Sequence, residues 1–206
     1  MIVVQQLSPL QADVLREVTN VGAGHAATAL AQLAGVRIAI DVPQIWAAPL
    51  DEIVARMAEP DEPVVIVSMR VLGDLAGQIM FVMRHESAGS LLDILLSRAP
   101  GTGGVDSEME RSGLQETGNI LASSFLNALA RWMGKILLPS VPTVVIDRRD
   151  SVTAQVGMKD GESVLAAETM FALAQDGGPG LKLTGVLVFM LEGSSLDAIL
   201  SALRVA

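Results

Sequence analysis

The sequence repeats itself at a spacing of 99 residues, and any fold for it has to house two copies of one unit. Glu17 falls on Glu116, Asn20 on Asn119, Gly35 on Gly134 and Pro43 on Pro142. Between positions 10 and 45 the register holds without a gap. Ten residues there match their counterparts: Leu15, Glu17, Asn20, Ala23, Ala29, Leu30, Ala31, Gly35, Val42 and Pro43. Further on, Leu92-Asp93 matches Leu196-Asp197 at a spacing of 104, which implies loop insertions in the second half. At roughly 100–200 residues per domain, 206 residues make one domain built from two halves. Repeat one is expected over 1–99 and repeat two over 106–206. The Gly/Pro-rich stretch at about 98–105 (RAPGTGGV) joins them.

Each half reads as helix, strands, helix. The first helix opens at Ser8-Pro9, with Ser8 as N-cap, Pro9 at N1 and Gln11 completing a capping box. Apolar Leu10, Val14, Val18 and Val21 recur at helical spacing, and Gly35 ends the pattern. The second long helix opens at Asp106-Ser107, where Ser107 and Glu110 make another box, and runs to Gly134. Extended runs follow at 36–42 and 136–141, each closed by a proline-marked turn at Pro43 or Pro142. β-Branched segments at 64–71, 78–83, 163–172 and 183–190 read as strands, with QDGGPG (175–180) as the turn of the later pair. Short helices are expected at 87–96 and 194–203. Two such units pair most simply about a pseudo-two-fold axis. The fold class is α+β, a two-layer arrangement with a joined, mostly antiparallel sheet and the two long helices on one face.

Composition removes several functions. Half of the residues are apolar, which excludes disorder. The absence of cysteine excludes disulfide scaffolds, thiolate metal sites and cysteine nucleophiles. A net charge of −9 repels phosphate backbones, so no nucleic-acid partner is expected. Mean hydropathy is positive, but no stretch reaches the ~20 uninterrupted apolar residues of a spanning helix, so no membrane partner is expected. The N-terminal stretch MIVVQQLSPLQAD lacks a basic region and a long apolar run, so no secretory signal is read. A cytoplasmic home is the simplest expectation.

Among the repeated residues, Ala, Leu and Gly are explained by packing and capping, and Pro43 and Pro142 by strand breaks or turns. Asp13/Ser112, Glu17/Glu116 and Asn20/Asn119 are different. They sit at i, i+4 and i+7, which places each trio on one helix face within two turns. That polar face lies off the apolar stripe and is expected to be solvent-exposed. A solvated Glu has no reason to recur across a duplication, and Asn is a mediocre helix-interior residue. The alternative is a polar face kept by chance, or an Asn that hydrogen-bonds an adjacent loop. His25 and His85 are solitary, no Ser or Cys nucleophile has a base beside it, and one Glu per face is too few for a hard cation. A carboxamide can hold a water in line for attack on a phosphoryl group. A carboxylate can pair with a lysine of a partner. Such a face works only if another protein supplies the phosphoryl group and the metal.

These residues resemble the CheC/CheX/FliY family of bacterial chemotaxis phosphatases. The family motif is Asp or Ser, three residues, Glu, two residues, Asn, then about 22 residues and Pro. The chain carries it twice with unbroken spacing: Asp13, Glu17, Asn20, Pro43, then Ser112, Glu116, Asn119, Pro142. The flanking LREVTNVGAGHAATAL and LQETGNILASSFLNAL are similar to the two CheC centres, and the likeness covers essentially the whole chain. Two copies favour the CheC branch over CheX, which typically has one centre and works as a dimer. The end at Ala206 argues against a complete FliY. The intact Glu and Asn argue against the FliM middle domain, a related switch-complex module.

The resemblance implies a phosphatase acting on a phosphorylated CheY-type receiver and ending the chemotaxis signal. Asn20 or Asn119 would orient the hydrolytic water, and Glu17 or Glu116 would bridge to the receiver's active-site lysine. The receiver would bring its own Mg²⁺ and phosphoaspartate, and the enzyme would need no cofactor or metal of its own. Asp13 and Ser112 would be peripheral to each centre, and Pro43 and Pro142 would shape the turn beneath it. CheC proteins commonly bind the deamidase CheD, a second expected partner. The competing reading is a non-catalytic module, either a CheD-binding regulator or a flagellar switch-related scaffold. A third is that only the second centre works. Thr19 stands where the family has a small residue, as Gly118 is in the second copy, and Thr19 is expected to crowd a docked receiver. His25 stands where CheC sequences commonly have Asn.

Overall fold

A computed structural model of the chain describes residues 8–149, 151, 163–173, 181–191 and 195–202. Their order is α1 (Pro9–Ala34), β1 (Ile38–Asp41), β2 (Ile45–Pro49), α2 (Leu50–Ala55), β3 (Pro63–Gly73), β4 (Gly77–Arg84), α3 (His85–Leu95), α4 (Glu108–Met133), β5 (Leu137–Pro139), β6 (Thr143–Arg148), β7 (Ser163–Leu173), β8 (Leu181–Leu191) and α5 (Ser195–Ala202). The expected turn at 175–180 lies outside the described residues.

Both long helices start and stop where local chemistry sets them. The Ser8 hydroxyl accepts from the Gln11 N–H at 3.2 Å, and the Gln11 side chain accepts from the Ser8 N–H at 2.9 Å. Ser107 and Glu110 repeat the reciprocal pair at 3.3 and 2.9 Å. Gly35 and Gly134 end the helices in the left-handed conformation, with φ of 69° and 65°, that a residue without Cβ adopts at least cost.

The sheet runs β1-β7-β8-β4-β3-β5, with β2 also on β7 and β6 also on β3, and every pairing is antiparallel. The two halves join at β4–β8 and are interlocked at their edges. β1 and β2, from repeat one, pair with β7 of repeat two, and β5 and β6, from repeat two, pair with β3 of repeat one.

The two prolines interrupt an edge strand rather than end it, so of the two readings, strand break or turn, the break holds and the closing turn does not. Pairing runs from Asp41↔Met170 to Ile45↔Ala167, so the edge advances four residues while β7 advances three. The same mismatch separates Pro139↔Val71 from Thr143↔Ser68. Each is a bulge with one extra residue. Proline, which has no N–H to give to a ladder, is tolerated there. β2, β6 and α2 are elements that the sequence reading did not anticipate.

Apolar residues of α1, α3, α4 and α5 cover one sheet face, in a core with Leu30, Phe125, Phe81 and Phe171 at its centre. Phe81 and Phe171, one from each repeat, meet edge to face at 5.5 Å. A second, smaller core lies on the other face, where α2 sends Ile53 and Val54 onto Ile66, Met80 and Val188. At the centre of the α1/α4 crossing, a Cβ on Gly22 would lie 2.8 Å from the Phe125 Cα, so the backbones meet only because that Cβ is missing.

Candidate functional site: two acidic-amide faces on the paired helices

The two trios lie on the long helices, one on α1 and one on α4. Asp13 and Glu17 are exposed, as are Ser112 and Glu116. Asp13 pairs with Arg16 at 3.0 Å, an exposed pair one helical turn apart of small energetic value. Neither Glu17 nor Glu116 has an ion-pair partner among the described residues.

Asn20 and Asn119 are half-buried, and this departs from the expected solvated face. Asn20 turns toward the bulge beside it. Its Oδ1 accepts from the Val42 N–H at 2.8 Å, and its Nδ2 donates to the Val42 carbonyl at 3.3 Å. The amide therefore satisfies both polar groups of the residue before Pro43, which the bulge leaves off the ladder. Val42 is buried as a result, at 1% exposure.

The second centre is built differently. Its loop is tied to α4 by Gln115, whose Nε2 donates to the Pro142 carbonyl at 3.3 Å. Val141, the counterpart of Val42, is turned out to 85% exposure. Asn119 has no side-chain hydrogen bond among the described residues. Gln115 occupies the position of Arg16 in the first copy, so the tie has moved one helical turn and left this amide unengaged.

Thr19 does not crowd either face, which corrects the expectation placed on it. It is buried, and its hydroxyl donates to the Leu15 carbonyl at 2.6 Å. It lines a small void with Ala167 of β7. At the equivalent place on α4, a Cβ on Gly118 would sit 2.4 Å from the Val67 side chain of β3. The larger helix residue thus meets the smaller strand residue in one half and the smaller meets the larger in the other, and the difference belongs to the core.

α1 and α4 run antiparallel, so each Glu lies near the last turn of the other helix. Asp13, Glu17 and His25 share a groove of about 520 Å³ with Arg131 and Trp132 of α4. Ser112 and Glu116 share the matching groove with Leu33 of α1 and with Met109. Leu33 and Trp132 are themselves 99 residues apart. The sequence reading missed these flanks and Gln115. The repeat held the signal for Leu33 and Trp132, which depends on knowing that the helices cross. No group of three His, Asp or Glu side chains able to hold a metal gathers among the described residues. No helix among them is long and apolar enough to cross a membrane.

The fold and the doubled Glu/Asn faces define a class, the duplicated helix-on-sheet proteins with one such face on each long helix. The model of the CheC-like family matches residues 10–46 and 109–146, the two stretches that carry those faces. The CheY-P phosphatase CheC of Bacillus subtilis (strain 168) is 37% identical over 169 residues, covering 77% of this chain and 78% of that protein. The chain belongs to the CheC-like family. Among solved structures, that of Thermotoga maritima FliY shares the fold with a TM-score of 0.76 at 21% identity, covering 96% of this chain and 97% of the chain in that structure. The FliM middle domain from H. pylori has a TM-score of 0.62 at 13% identity, covering 95% and 99%.

Proposed function

We propose that the chain is a phosphatase for the aspartyl phosphate of a phosphorylated CheY-type receiver, with Glu17, Asn20, Glu116 and Asn119 as its catalytic residues. The Bacillus subtilis relative carries that activity in its name, and the CheC-like family model matches the two stretches that hold both motifs. The observation that carries the reading is the exposed Glu116 with the unengaged Asn119 one turn away. In the proposed step, the Asn119 amide orients a water, Glu116 pairs with the receiver's lysine, and the receiver brings Mg²⁺ and the phosphoaspartate. The water oxygen bonds to phosphorus as the bond from phosphorus to the aspartyl oxygen breaks, releasing phosphate and a free carboxylate. The chain contributes positioning and needs no cofactor of its own. Asp13, Ser112, Pro43 and Pro142 support the faces. A receiver substrate implies a cytoplasmic location, and CheD is the proposed second partner.

The first centre differs in one respect that bears on rate. Asn20 commits one amide N–H and one oxygen lone pair to Val42, which fixes the direction its amide faces, whereas the Asn119 amide makes no such bonds and can turn toward a water. The second centre is therefore the faster one at rest, and the first acts as a docking face that becomes catalytic on contact. The test is the decay of a Mg²⁺-bound phosphorylated receiver with wild type, Asn20→Ala, Asn119→Ala and the double variant. Loss of tenfold or more in Asn119→Ala, equal to ~1.4 kcal/mol of barrier, with a smaller loss in Asn20→Ala, is the expected result. No acceleration by wild type, with or without CheD, would leave only a binding module.

A further inference from the structure

The sheet face opposite α1 and α4 carries a cleft of about 430 Å³ between α2, β2, β7, β8 and the end of β4. Its rim holds Arg56, Arg84 and Lys182 against one carboxylate, Glu168. None of the three cations has an ion-pair partner among the described residues. In a chain of net charge −9, three cations converging on one concavity form a local inversion of the field. Trp46 lines the same cleft, and its indole N–H is buried with no hydrogen-bond partner among the described residues. Such a donor is costly unless something accepts from it. Arg56 lies over the Trp46 ring at 5.5 Å, and the Arg84 Nε donates to the Met57 carbonyl at 2.6 Å, so both guanidinium groups are held in place.

The duplication supplies an internal control. Val71 pairs with Gly77 as Phe171 pairs with Leu183, which makes Lys182 the counterpart of Ala76 and Arg84 the counterpart of Met190. Glu168 likewise corresponds to Ser68. The fold therefore does not require charges at these places, since the symmetry-related positions hold Met190, Ala76 and Ser68.

We infer that this cleft binds an organic phosphate no larger than a mononucleotide, at a site separate from the Glu/Asn faces. The guanidinium groups and the ammonium take the phosphoryl oxygens, since a planar fork matches phosphate geometry. The Trp46 ring walls the cleft beneath Arg56, and Glu168 accepts from a hydroxyl or amine of the carrier. The volume falls within the ~300–1,000 Å³ of ordinary ligand pockets and exceeds what free phosphate fills.

The chain has two tryptophans, so Trp132→Phe leaves Trp46 as the sole indole reporter. In that background, fluorescence is titrated with adenosine monophosphate, ribose 5-phosphate, inorganic phosphate and adenosine. The expected result is a saturable change with the phosphorylated probes, with Kd below about 1 mM, and none with adenosine. Lys182→Gln and Arg56→Gln should each weaken it at least tenfold while circular dichroism stays that of the parent. Inorganic phosphate saturating at the same concentration as the organic probes would overturn the carrier contacts. Absence of saturation with every phosphorylated probe, equal binding of adenosine, or binding unchanged in Lys182→Gln would overturn the site itself. Lys182 is an exposed strand residue, so its variant decides the question even if Arg56→Gln loosens α2.

Discussion

The Asn20 side chain and the Val42 backbone are joined by two hydrogen bonds, at 2.8 and 3.3 Å, across the bulge that Pro43 occupies. Asn119, its counterpart 99 residues on, makes no such pair, and Val141 stands open to solvent. One repeated residue therefore does two jobs. Asn20→Ala leaves a buried N–H and carbonyl unsatisfied and should cost about 1–3 kcal/mol of stability. Asn119→Ala should stay within about 0.5 kcal/mol of wild type. Urea unfolding of the two variants measures the difference, and equal midpoints would refute the structural role given to Asn20.

Gly22 and Gly24, two residues apart on α1, should respond oppositely to a methyl group. At Gly22 a Cβ meets the Phe125 Cα at 2.8 Å and the Ser124 carbonyl at 3.1 Å, both backbone atoms of α4. Gly22→Ala forces the helices apart, and overpacking of this kind costs about 1–3 kcal/mol, more than the helix propensity gained. At Gly24 a Cβ meets nothing within 4 Å. Gly24→Ala should raise stability by about 0.5–1 kcal/mol through helix propensity alone. Thermal unfolding of both variants checks the signs.

Glu110 ties the linker to the start of α4. Its carboxylate accepts from the Ser107 N–H, from the Gly104 N–H at 3.1 Å and from Arg98 at 2.7 Å. The Ser107 N–H and then its hydroxyl, followed by the Arg98 guanidinium, hold the carboxyl at about 2, below its ordinary 4.5, against the opposing effect of burial. The folded chain thus binds fewer protons here than the unfolded one. The stability this group contributes is complete above about pH 4.5 and is lost as pH falls toward 2. The melting-temperature gap between wild type and Glu110→Gln should therefore be constant near neutrality and narrow below about pH 4.5. A gap that widens on acidification would contradict the assignment.

What was legible in the sequence was what local chemistry decides. Ser8 with Gln11 and Ser107 with Glu110 fix helix starts within four residues of chain, and Gly35 and Gly134 fix the ends, so α1 and α4 could be placed closely. Strand partners are another matter. Nothing in the residues after Pro43 says that they continue on β7 rather than turn away, because a bulge and a turn share the same proline. Glu17 and Asn20 stood out through repetition, but which way the Asn20 amide points depends on a bulge 22 residues away. Thr19 was misjudged because its neighbour, Ala167, lies in the other repeat.

That interlocking makes a last prediction. Residues 1–99 contain β1 and β2 but lack β7, the strand that both pair with, and they lack the Leu165, Ala167 and Phe171 side chains that complete the larger core. Repeat two alone, at 106–206, lacks β3 and leaves β5 and β6 unpaired in the same way. Each fragment alone would expose an apolar sheet edge open to association with other chains. Expressed singly, the fragments should be unfolded or associated. Mixed, they should recover the parent's circular dichroism as a one-to-one complex, because the missing strands of each are present on the other. Sedimentation of the separate and mixed fragments decides it. A folded, monomeric 1–99 would show that the edge strands are dispensable and that the repeats are independent units after all.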